Sequence, residues 1–384
     1  MIHARHEDLS GPGDALVSTV HHASHDQLMT PVDTDAGGAS VDAIIVPTIR
    51  PVHFLEGSLR LARELDCPVL ALCSGEVLPA AAVGLAERIG ARLTAVDCRG
   101  AAAPVRLRAG AVAKGVTPGG RYVDLSLKRN VGLLTAWMTR NWRRVLFLDD
   151  DLRDIDVGGV RAAAAQLDRY TGIGLRVEGQ PDNSVVCHAF RDTGGIQSTF
   201  VGGGALLVPT DRAPSHFPDV YNEDWFFLLE GEKLGRVGRM GFSRQDFYDP
   251  YDDPGRARAQ EFGDCLAEGV FALLDDGGSV SDAALGYWDR YLDTRRSLIE
   301  GIVAKLPRIT EQAKRDRMTA ALAAAAETLA GIEPRHCMAF LDAWRADQGR
   351  WSEALTGLPA GLTVGEALAG FAFADVIQTA GYRD

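Results

Sequence analysis

The sequence lacks the patterns that mark membrane-spanning and secreted chains. No stretch of its 384 residues approaches the roughly 18 consecutive apolar residues that a membrane-spanning helix needs. The N-terminus lacks the basic and then apolar order of a secretory signal peptide. None of the six cysteines forms a CxxC pair, which is common in metal-binding and redox motifs. The number and spacing of the cysteines are also not those of a secreted disulfide framework. We therefore expect a soluble, cytoplasmic protein.

A surplus of basic residues is also missing. Lys and Arg number 40 against 52 Asp and Glu, so the net charge is -12. Because nucleic acids and anionic membrane surfaces are themselves negative, an acidic chain gains no affinity for them, and we expect no nucleic-acid partner. The hydrophobic content of 46% is ordinary for a globular protein, and the length allows one large domain with an appendage.

The stretch 145–151 runs from apolar residues directly into three carboxylates. Its first four residues, Val-Leu-Phe-Leu, predict a strand that is buried on both faces. Asp149, Asp150 and Asp151 repel one another unless a positive charge lies between them. At the end of a buried strand that charge is often a divalent cation, since hard cations prefer carboxylate oxygen. An acidic turn that faces solvent and caps the next helix is the alternative.

Strands and helices alternate before this stretch. Such alternation predicts a mostly parallel sheet with helices on both faces. Ligands of these sheets bind beyond the carboxyl ends of the strands, so Thr48, Ser74 and Asp149 are expected to line one crevice. The predicted strands are 43–46, 68–73, 92–96 and 145–148, and the predicted helices are 51–66, 78–90, 124–141 and 157–168, with a loop at 98–121.

The second half adds short strands and an acidic helix start. Strands are predicted at 173–177, 184–190 and 199–208, as hairpins added to the sheet. The glycines 202–204 interrupt an apolar run, which indicates either close approach of a ligand or backbone, or a bulge. Asn222, Glu223 and Asp224 suit the start of a helix. The functional alternative is a carboxylate over the crevice that acts as a general base.

Three regions follow from this pattern. Residues 1–40 contain five of the nine histidines and predict a loosely ordered, flexible extension, with a metal-binding tail as the alternative. Residues 41–255 form the predicted catalytic domain. Residues 256–384 form a helical region that packs on it, shapes an acceptor pocket or makes a homo-oligomer. Its predicted helices are 256–275, 281–306, 309–331, 335–347 and 364–378.

Taken together, the motifs resemble a known family. Strand-Pro-Thr, strand-Ser, Lys-Arg-Asn-x-Gly, strand-Asp-Asp-Asp, Phe-x-Gly-Gly-Gly and Asn-Glu-Asp-Trp follow in order over about 41–250. This order resembles the nucleotide-sugar-dependent glycosyltransferases of the GT-A fold, in the broad family-2-like group. The resemblance implies a Rossmann-like, mostly parallel sheet with flanking helices and a C-terminal helical appendage. It also implies a hexosyltransferase-like enzyme with a nucleoside-diphosphate sugar as donor and an unknown hydroxyl acceptor.

The resemblance also implies roles for individual residues. Asp149 and Asp151 would hold Mn²⁺ or Mg²⁺, which neutralises the leaving nucleoside diphosphate. Asp224 would be the base of an inverting enzyme, with Glu223 and Trp225 in the acceptor site. Ser74 stands where these enzymes often carry an acidic residue that reads the base. The donor would be bound by Pro47, Thr48, Arg50, Ser74, Lys128, Arg129, Asp149, Asp150, Gly203 and Gly204.

One departure concerns the metal. Many relatives supply a third ligand from a histidine after the Glu-Asp pair, but here only His336 follows, in a helical tail. Gln245 and Asp246 are the candidates to replace it. Other functions remain open: a retaining glycosyltransferase, a nucleotidyltransferase or a non-catalytic sugar-nucleotide-binding protein. A nucleotidyltransferase usually has a glycine-rich loop after its first strand, and residues 46–51 contain no glycine.

Overall fold

A nine-stranded mixed sheet forms the centre of the protein in a computed structural model, which describes residues 25–117, 124–180, 183–371 and 377–381. A separate hairpin consists of the two short strands β8 and β9. The strands of the described residues are β1 (Ala43–Thr48), β2 (Val69–Cys73), β3 (Leu93–Asp97), β4 (Arg144–Leu148), β5 (Leu152–Arg153), β6 (Gly172–Glu178), β7 (Ala205–Pro209), β8 (Leu229–Glu230), β9 (Lys233–Leu234), β10 (Val237–Gln245) and β11 (Ile377–Ala380).

The strand order is β11-β3-β2-β1-β4-β7-β6-β10-β5. Strands β3, β2, β1 and β4 are parallel, and β7 runs antiparallel between β4 and β6. Strand β10 is parallel to β6. The carboxyl ends of β1, β2, β4, β6 and β10 therefore meet the start of β7 at one edge of the sheet. The predicted α/β class, with a large, mostly parallel sheet, is confirmed.

Helices cover both faces of the sheet because its central strands are apolar on both sides. Ile45 and Phe147 belong to one core, whereas Ile44 and Leu146 belong to the other. The helices of the described residues are α1 (Glu56–Leu65), α2 (Pro79–Ile89), α3 (Ala109–Val116), α4 (Leu125–Thr139), α5 (Val157–Ala164), α6 (Val185–Asp192), α7 (Glu223–Phe227), α8 (Pro254–Asp275), α9 (Leu285–Val303), α10 (Gln312–Gly331), α11 (Pro334–Gly357) and α12 (Val364–Ala369).

Helix α4 lies unusually close to β1. A Cβ atom on Gly132 would lie 2.7 Å from Cγ2 of Ile45, so only glycine allows this approach. Twelve of the fifteen residues of α4 are buried, among them Lys128 and Arg129. The polar side chains at the start of α4 are therefore carried into the protein interior next to the ends of β1 and β4.

The helices after Pro254 share a core with the sheet domain. The Phe226 ring lies 5.2 Å from that of Phe340 and 5.7 Å from that of Trp344, between ring centroids. Trp351 donates from its indole nitrogen to the Pro214 carbonyl at 2.9 Å. The predicted boundary at residue 255 thus does not separate two hydrophobic cores. None of the helices in the described ranges is long and apolar enough to cross a membrane.

The end of the predicted extension packs on the sheet domain. His25 is buried in contact with Glu268 and Asp275, and Tyr170 donates to the Pro31 carbonyl at 2.5 Å. Ala39 donates its amide to the Arg161 carbonyl at 2.9 Å. Residues 25–40 are thus tied to the domain, contrary to the predicted loose order. His3, His6, His21 and His22 lie outside the described residues.

Two secondary-structure predictions in the middle of the chain were wrong. Residues 184–190 form helix α6 instead of a strand, since Ser184 caps it by accepting from the Cys187 amide. The residues of α6 include Val and Phe, which favour strands by propensity alone, and packing against α8 overrides that preference. The predicted loop at 98–121 contains α3, whose start is fixed by a distant carboxylate: Asp347 accepts from the amides of Arg108 and Ala109.

Predictions for three further segments also differ from the structure. The strand predicted at 199–208 is shorter, because β7 begins only at Ala205, after the glycines. The helix predicted at 364–378 ends with α12, and Ile377–Ala380 pairs antiparallel with β3 instead. Helix α11, predicted to end at residue 347, continues to Gly357.

Candidate functional site

The ends of β1 and β4 meet as predicted from the topology. Thr48 donates from its hydroxyl to Asp150 at 2.7 Å, and the Ile49 amide lies 3.3 Å from the same carboxylate oxygen. Arg50 bridges two carboxylates of the triplet, since it contacts Asp150 and lies 2.9 Å from Asp151. Pro47 is buried inside β1. The loop after β1 therefore supplies a hydroxyl, an amide and a guanidinium to the acidic turn.

Arg129 joins the acidic turn to the Glu223–Phe227 helix. Its guanidinium lies 3.0 Å from Asp149 and contacts Glu223, and its side chain is 3% exposed. Burial lowers the pKa of a guanidinium, but Asp149, Glu223 and Asp224 outweigh it and hold the pKa of Arg129 above its usual value. Arg129 is therefore charged, and it connects segments that are 74 residues apart in the sequence, from Asp149 to Glu223.

Asp224 lies beside the glycine-rich segment. Its carboxylate accepts a hydrogen bond from the Gly203 amide. A Cβ atom on Gly203 would lie 2.5 Å from a terminal nitrogen of Arg129, and one on Gly204 would lie 3.1 Å from a carboxylate oxygen of Asp149. The glycines are needed because these side chains pack directly on the backbone. The close approach expected from the sequence is thus to protein side chains.

Lys128 holds the ends of β1 and β2 together. Its ammonium donates to the Thr48 carbonyl at 3.0 Å and to the Ser74 hydroxyl at 2.7 Å, and it lies 2.9 Å from Asp124. Ser74 also donates to Asp124. Lys128 and Arg129 were predicted to bind the donor, but both are buried and face protein partners. Their role in this geometry is to support the residues that line the site.

Trp225 does not present an aromatic face to the crevice. It is 9% exposed and packs against Phe200, Phe271 and His25, with ring centroids 5.3 Å, 4.5 Å and 5.3 Å away. Trp225 was predicted to lie in the acceptor site, but in this geometry its ring is held in the core. Its position in the core anchors the short helix that carries Glu223 and Asp224.

The two candidates for a third metal ligand differ in position. The Gln245 amide nitrogen lies 3.3 Å from Asp151, and its amide oxygen is buried without a hydrogen-bond partner. Asp246 instead pairs with the half-exposed Arg153 at 2.6 Å. Asp149, Asp151 and the orphaned oxygen of Gln245 are hard oxygen donors, and Mg²⁺ or Mn²⁺ sites add phosphate oxygens and water to such a set. This donor set fits such an ion.

The site carries more carboxyl groups than local cations can neutralise. Burial raises the pKa of Asp151 to about 6; Arg50 opposes this shift, and Asp149 and Asp150 add to it. Burial also raises the pKa of Glu223 to about 8; Arg129 opposes this shift, and Asp224 adds to it. The pKa of Asp224 is raised for the same reason, burial, with Arg129 opposing. Added positive charge would therefore favour the ionised forms.

A cavity of about 690 Å³ opens beside this site. It begins at Ser74 and Asp124 and extends between the loop around Arg99, helix α3 and helix α4 to Phe217 and Trp351. Trp351 belongs to α11, so the C-terminal helices contribute one wall. The cavity is large enough for a nucleoside-sized group, since ligand sites commonly measure about 300–1,000 Å³.

A second group of ligand-type residues lies in the core. Cys187, Asp264 and Glu268 are buried, and one ligand atom of each lies within 4.8 Å of the others, so this group could hold a metal ion. Its members already have protein partners, because Asp264 pairs with Arg295 at 2.5 Å and Glu268 lies 3.3 Å from His25. It was missed because its residues come from α6 and α8, which sequence spacing does not bring together.

Asp124 was also missed as a site residue. It precedes α4 and reads as a helix cap, although its side chain makes no cap hydrogen bond. Its partners Ser74 and Lys128 lie at the crevice. The only sequence signal was its spacing of four residues before Lys128, which is equally typical of a surface ion pair.

Comparison with protein-family models and with curated proteins finds no match for the chain.

The raised pKa of Glu223 predicts a pH dependence of stability. Between its ordinary pKa of 4.5 and about 8, Glu223 binds its proton in the folded state but loses it in the unfolded state. Its contribution to stability is therefore fully present below pH 4.5 and is lost as pH rises to about 8. We expect the free energy of unfolding of wild type, relative to Glu223→Gln, to fall by about 1–3 kcal/mol across this window.

Urea titrations at closely spaced pH values measure this difference. Glu327→Gln is the matched control, because Glu327 is an exposed carboxylate on α10, with a side chain 72% exposed. It should change the pH dependence by less than about 0.5 kcal/mol. A difference between wild type and Glu223→Gln that stays constant with pH would show that Glu223 is ionised throughout the window.

Proposed function

We propose that the protein is a metal-dependent glycosyltransferase of the GT-A fold, family-2-like, that transfers a sugar from a nucleoside-diphosphate sugar to a hydroxyl acceptor. The observation that carries this proposal is the meeting of three distant segments at one sheet edge. Arg129 binds Asp149 and Glu223, and the Gly203 amide binds Asp224. A strand-end carboxylate triplet, a glycine-rich strand start and a Glu-Asp helix are thus in direct contact.

The sheet order supports the same fold. Parallel strands β3, β2, β1 and β4 are followed by the antiparallel β7, and the triplet lies at the end of β4, where β1 and β4 adjoin. Ligands of open α/β sheets bind at such carboxyl edges. The cavity beside Ser74 and Asp124 would take the nucleoside of the donor. The half-exposed Arg50 would then lie next to the diphosphate.

Asp149 and Asp151 would hold the divalent ion, with the Gln245 amide oxygen as the third protein donor. When bound, Mn²⁺ or Mg²⁺ would neutralise the charge that develops on the departing nucleoside diphosphate. The protein residues prepare this site electrostatically, because the pKa of Asp151 is raised by burial and falls when a cation approaches. Arg50 has a side chain 41% exposed, so it is free to leave Asp151 as the ion enters.

Asp224 is the proposed general base of an inverting transfer. Its carboxylate accepts hydrogen bonds from the backbone amides of Gly203, Asp224 and Trp225, and these bonds fix the group that would accept the proton of an acceptor hydroxyl. Glu223, one residue before it, is engaged by Arg129 and is less suited to this task. The raised pKa of Asp224 increases its strength as a base.

The metal and the donor site predict one binding behaviour. In a thermal-shift panel of UDP, GDP, CDP, ADP and dTDP, at least one nucleotide should raise the melting temperature by about 2 °C or more with Mn²⁺ present, and by much less without it. Asp151→Asn should abolish this increase, because it removes a ligand charge. Asp154→Asn is the matched control, since Asp154 lies three residues on with a side chain 66% exposed. No Mn²⁺-dependent increase with any nucleotide would contradict the donor site.

If Asp224 is the general base, replacing it should lower turnover of the donor and leave nucleotide binding unchanged. Asp224→Asn keeps an oxygen that can accept from the Gly203 amide, so nucleotide binding should be unchanged. Release of nucleoside diphosphate from the hexose conjugate of the nucleotide that binds should fall by about 10²–10⁴-fold. The exposed Asp211→Asn should retain full turnover. Turnover that survives in Asp224→Asn with donor bound would make the base assignment wrong and favour a retaining mechanism.

A further inference from the structure

The residue before the Glu223–Phe227 helix has an unusual backbone. Asn222 has φ of 61°, in the left-handed region that asparagine tolerates better than other side chains do. Its side chain makes no cap hydrogen bond to the helix that follows. Instead its amide nitrogen donates to Asp264 at 3.2 Å. The chain direction at the entrance to the acidic helix is therefore tied to α8.

Asp264 is itself held by a buried network. Its other oxygen accepts from the Ser184 hydroxyl at 2.6 Å and from Arg295 at 2.5 Å. Arg295 also binds Glu261 with two hydrogen bonds of 2.9 Å. Asp264, Arg295 and Glu261 are all at most 2% exposed. Three hydrogen bonds to this buried carboxylate, from Asn222, Ser184 and Arg295, fix the orientation of Asp264.

Helix α8 also contacts the backbone before Asn222. A Cβ atom on Gly263 would lie 2.3 Å from the Tyr221 carbonyl oxygen, so the helix and this segment are in direct backbone contact. The helix that follows Asn222 has only five residues, and such a short helix has no stable orientation of its own. Its position must come from what it packs against.

We propose that Asp264 is a positioning residue, which holds Asn222 so that Glu223 and Asp224 face Arg129 and the Gly203 amide. The C-terminal helices α8 and α9 then complete the site as well as stabilise the fold. The catalytic consequence rests on the proposed function, in which Asp224 is the base. The positioning itself is independent of that function. Replacing a buried ion pair by hydrophobic residues is often neutral or stabilising, so stability alone does not account for the network of Asp264, Arg295 and Glu261.

Asn222→Gly separates positioning from folding. Glycine adopts a positive φ at no steric cost, so this variant loses the side-chain contact to Asp264 but not the backbone conformation. Asp264→Asn is the second variant, and it also removes a charge beside Arg295. Arg258→Gln is the matched control, because Arg258 lies on the same helix with a side chain 50% exposed, and its salt bridge to Glu327 is on the surface.

Hydrogen exchange followed by mass spectrometry tests the positioning in the full chain. We expect deuterium uptake in a peptide that spans residues 221–228 to become about fivefold faster in Asn222→Gly and Asp264→Asn, and to stay at the wild-type rate in Arg258→Gln. Asn222→Gly should melt within about 2 °C of wild type, since a left-handed position favours glycine. Uptake at the wild-type rate in both variants would overturn the positioning role.

Donor turnover tests the consequence. With the hexose conjugate that wild type hydrolyses, kcat should fall about tenfold or more in both variants, whereas KM for the donor should stay within about twofold. If the contact between Asn222 and Asp264 were purely structural, the variants would instead have a lower melting temperature, without a fall in kcat at constant KM. Faster exchange with unchanged kcat would overturn the catalytic consequence. If wild type turns over no donor, the proposed function fails, and the exchange rates still decide the positioning.

Discussion

The buried guanidinium of Arg129 is the interaction on which the rest of the site depends. It lies between Asp149 at the end of β4 and Glu223 at the start of α7, with almost no exposure to water. A hydrogen bond to a charged group contributes about 1.5–3 kcal/mol, and Arg129 makes one to each of these carboxyl groups. The acidic turn and the acidic helix therefore cannot separate without losing such a contribution, and the glycines at 203–204 allow both to approach this closely.

A chain of polar contacts extends from Arg129 through the whole site. On one side, Arg50, Thr48 and Lys128 connect the triplet to the ends of β1 and β2, and so to the cavity at Ser74. On the other side, Asn222 continues to Asp264 and the helices that follow Pro254. The site is thus held from both the sheet and the C-terminal helices, which share one core. Excess carboxylate at its centre makes it receptive to a cation.

The sequence predicted those parts that depend on local pattern. The strands β1 to β4 and the meeting of Thr48, Ser74 and Asp149 at one edge follow from apolar runs and parallel topology. The association of the Glu-Asp pair with the triplet was implied only by the family resemblance. Features fixed by distant partners were not predictable. Helix α3 begins where Asp347 caps it, α6 packs against α8 despite its strand-like residues, and Trp225 turns into the core beside His25.

The central claim is that the carboxylate triplet, together with its surroundings, binds a divalent ion for a nucleoside diphosphate. Crystals grown with Mn²⁺ and the nucleotide that stabilises the protein test it most directly, through the anomalous signal of manganese. We expect one strong peak at about 2.0–2.3 Å from oxygens of Asp149 and Asp151, and displacement of Arg50 from Asp151. A peak at Cys187, Asp264 and Glu268 instead, or none beside the triplet while nucleotide is bound, would contradict it.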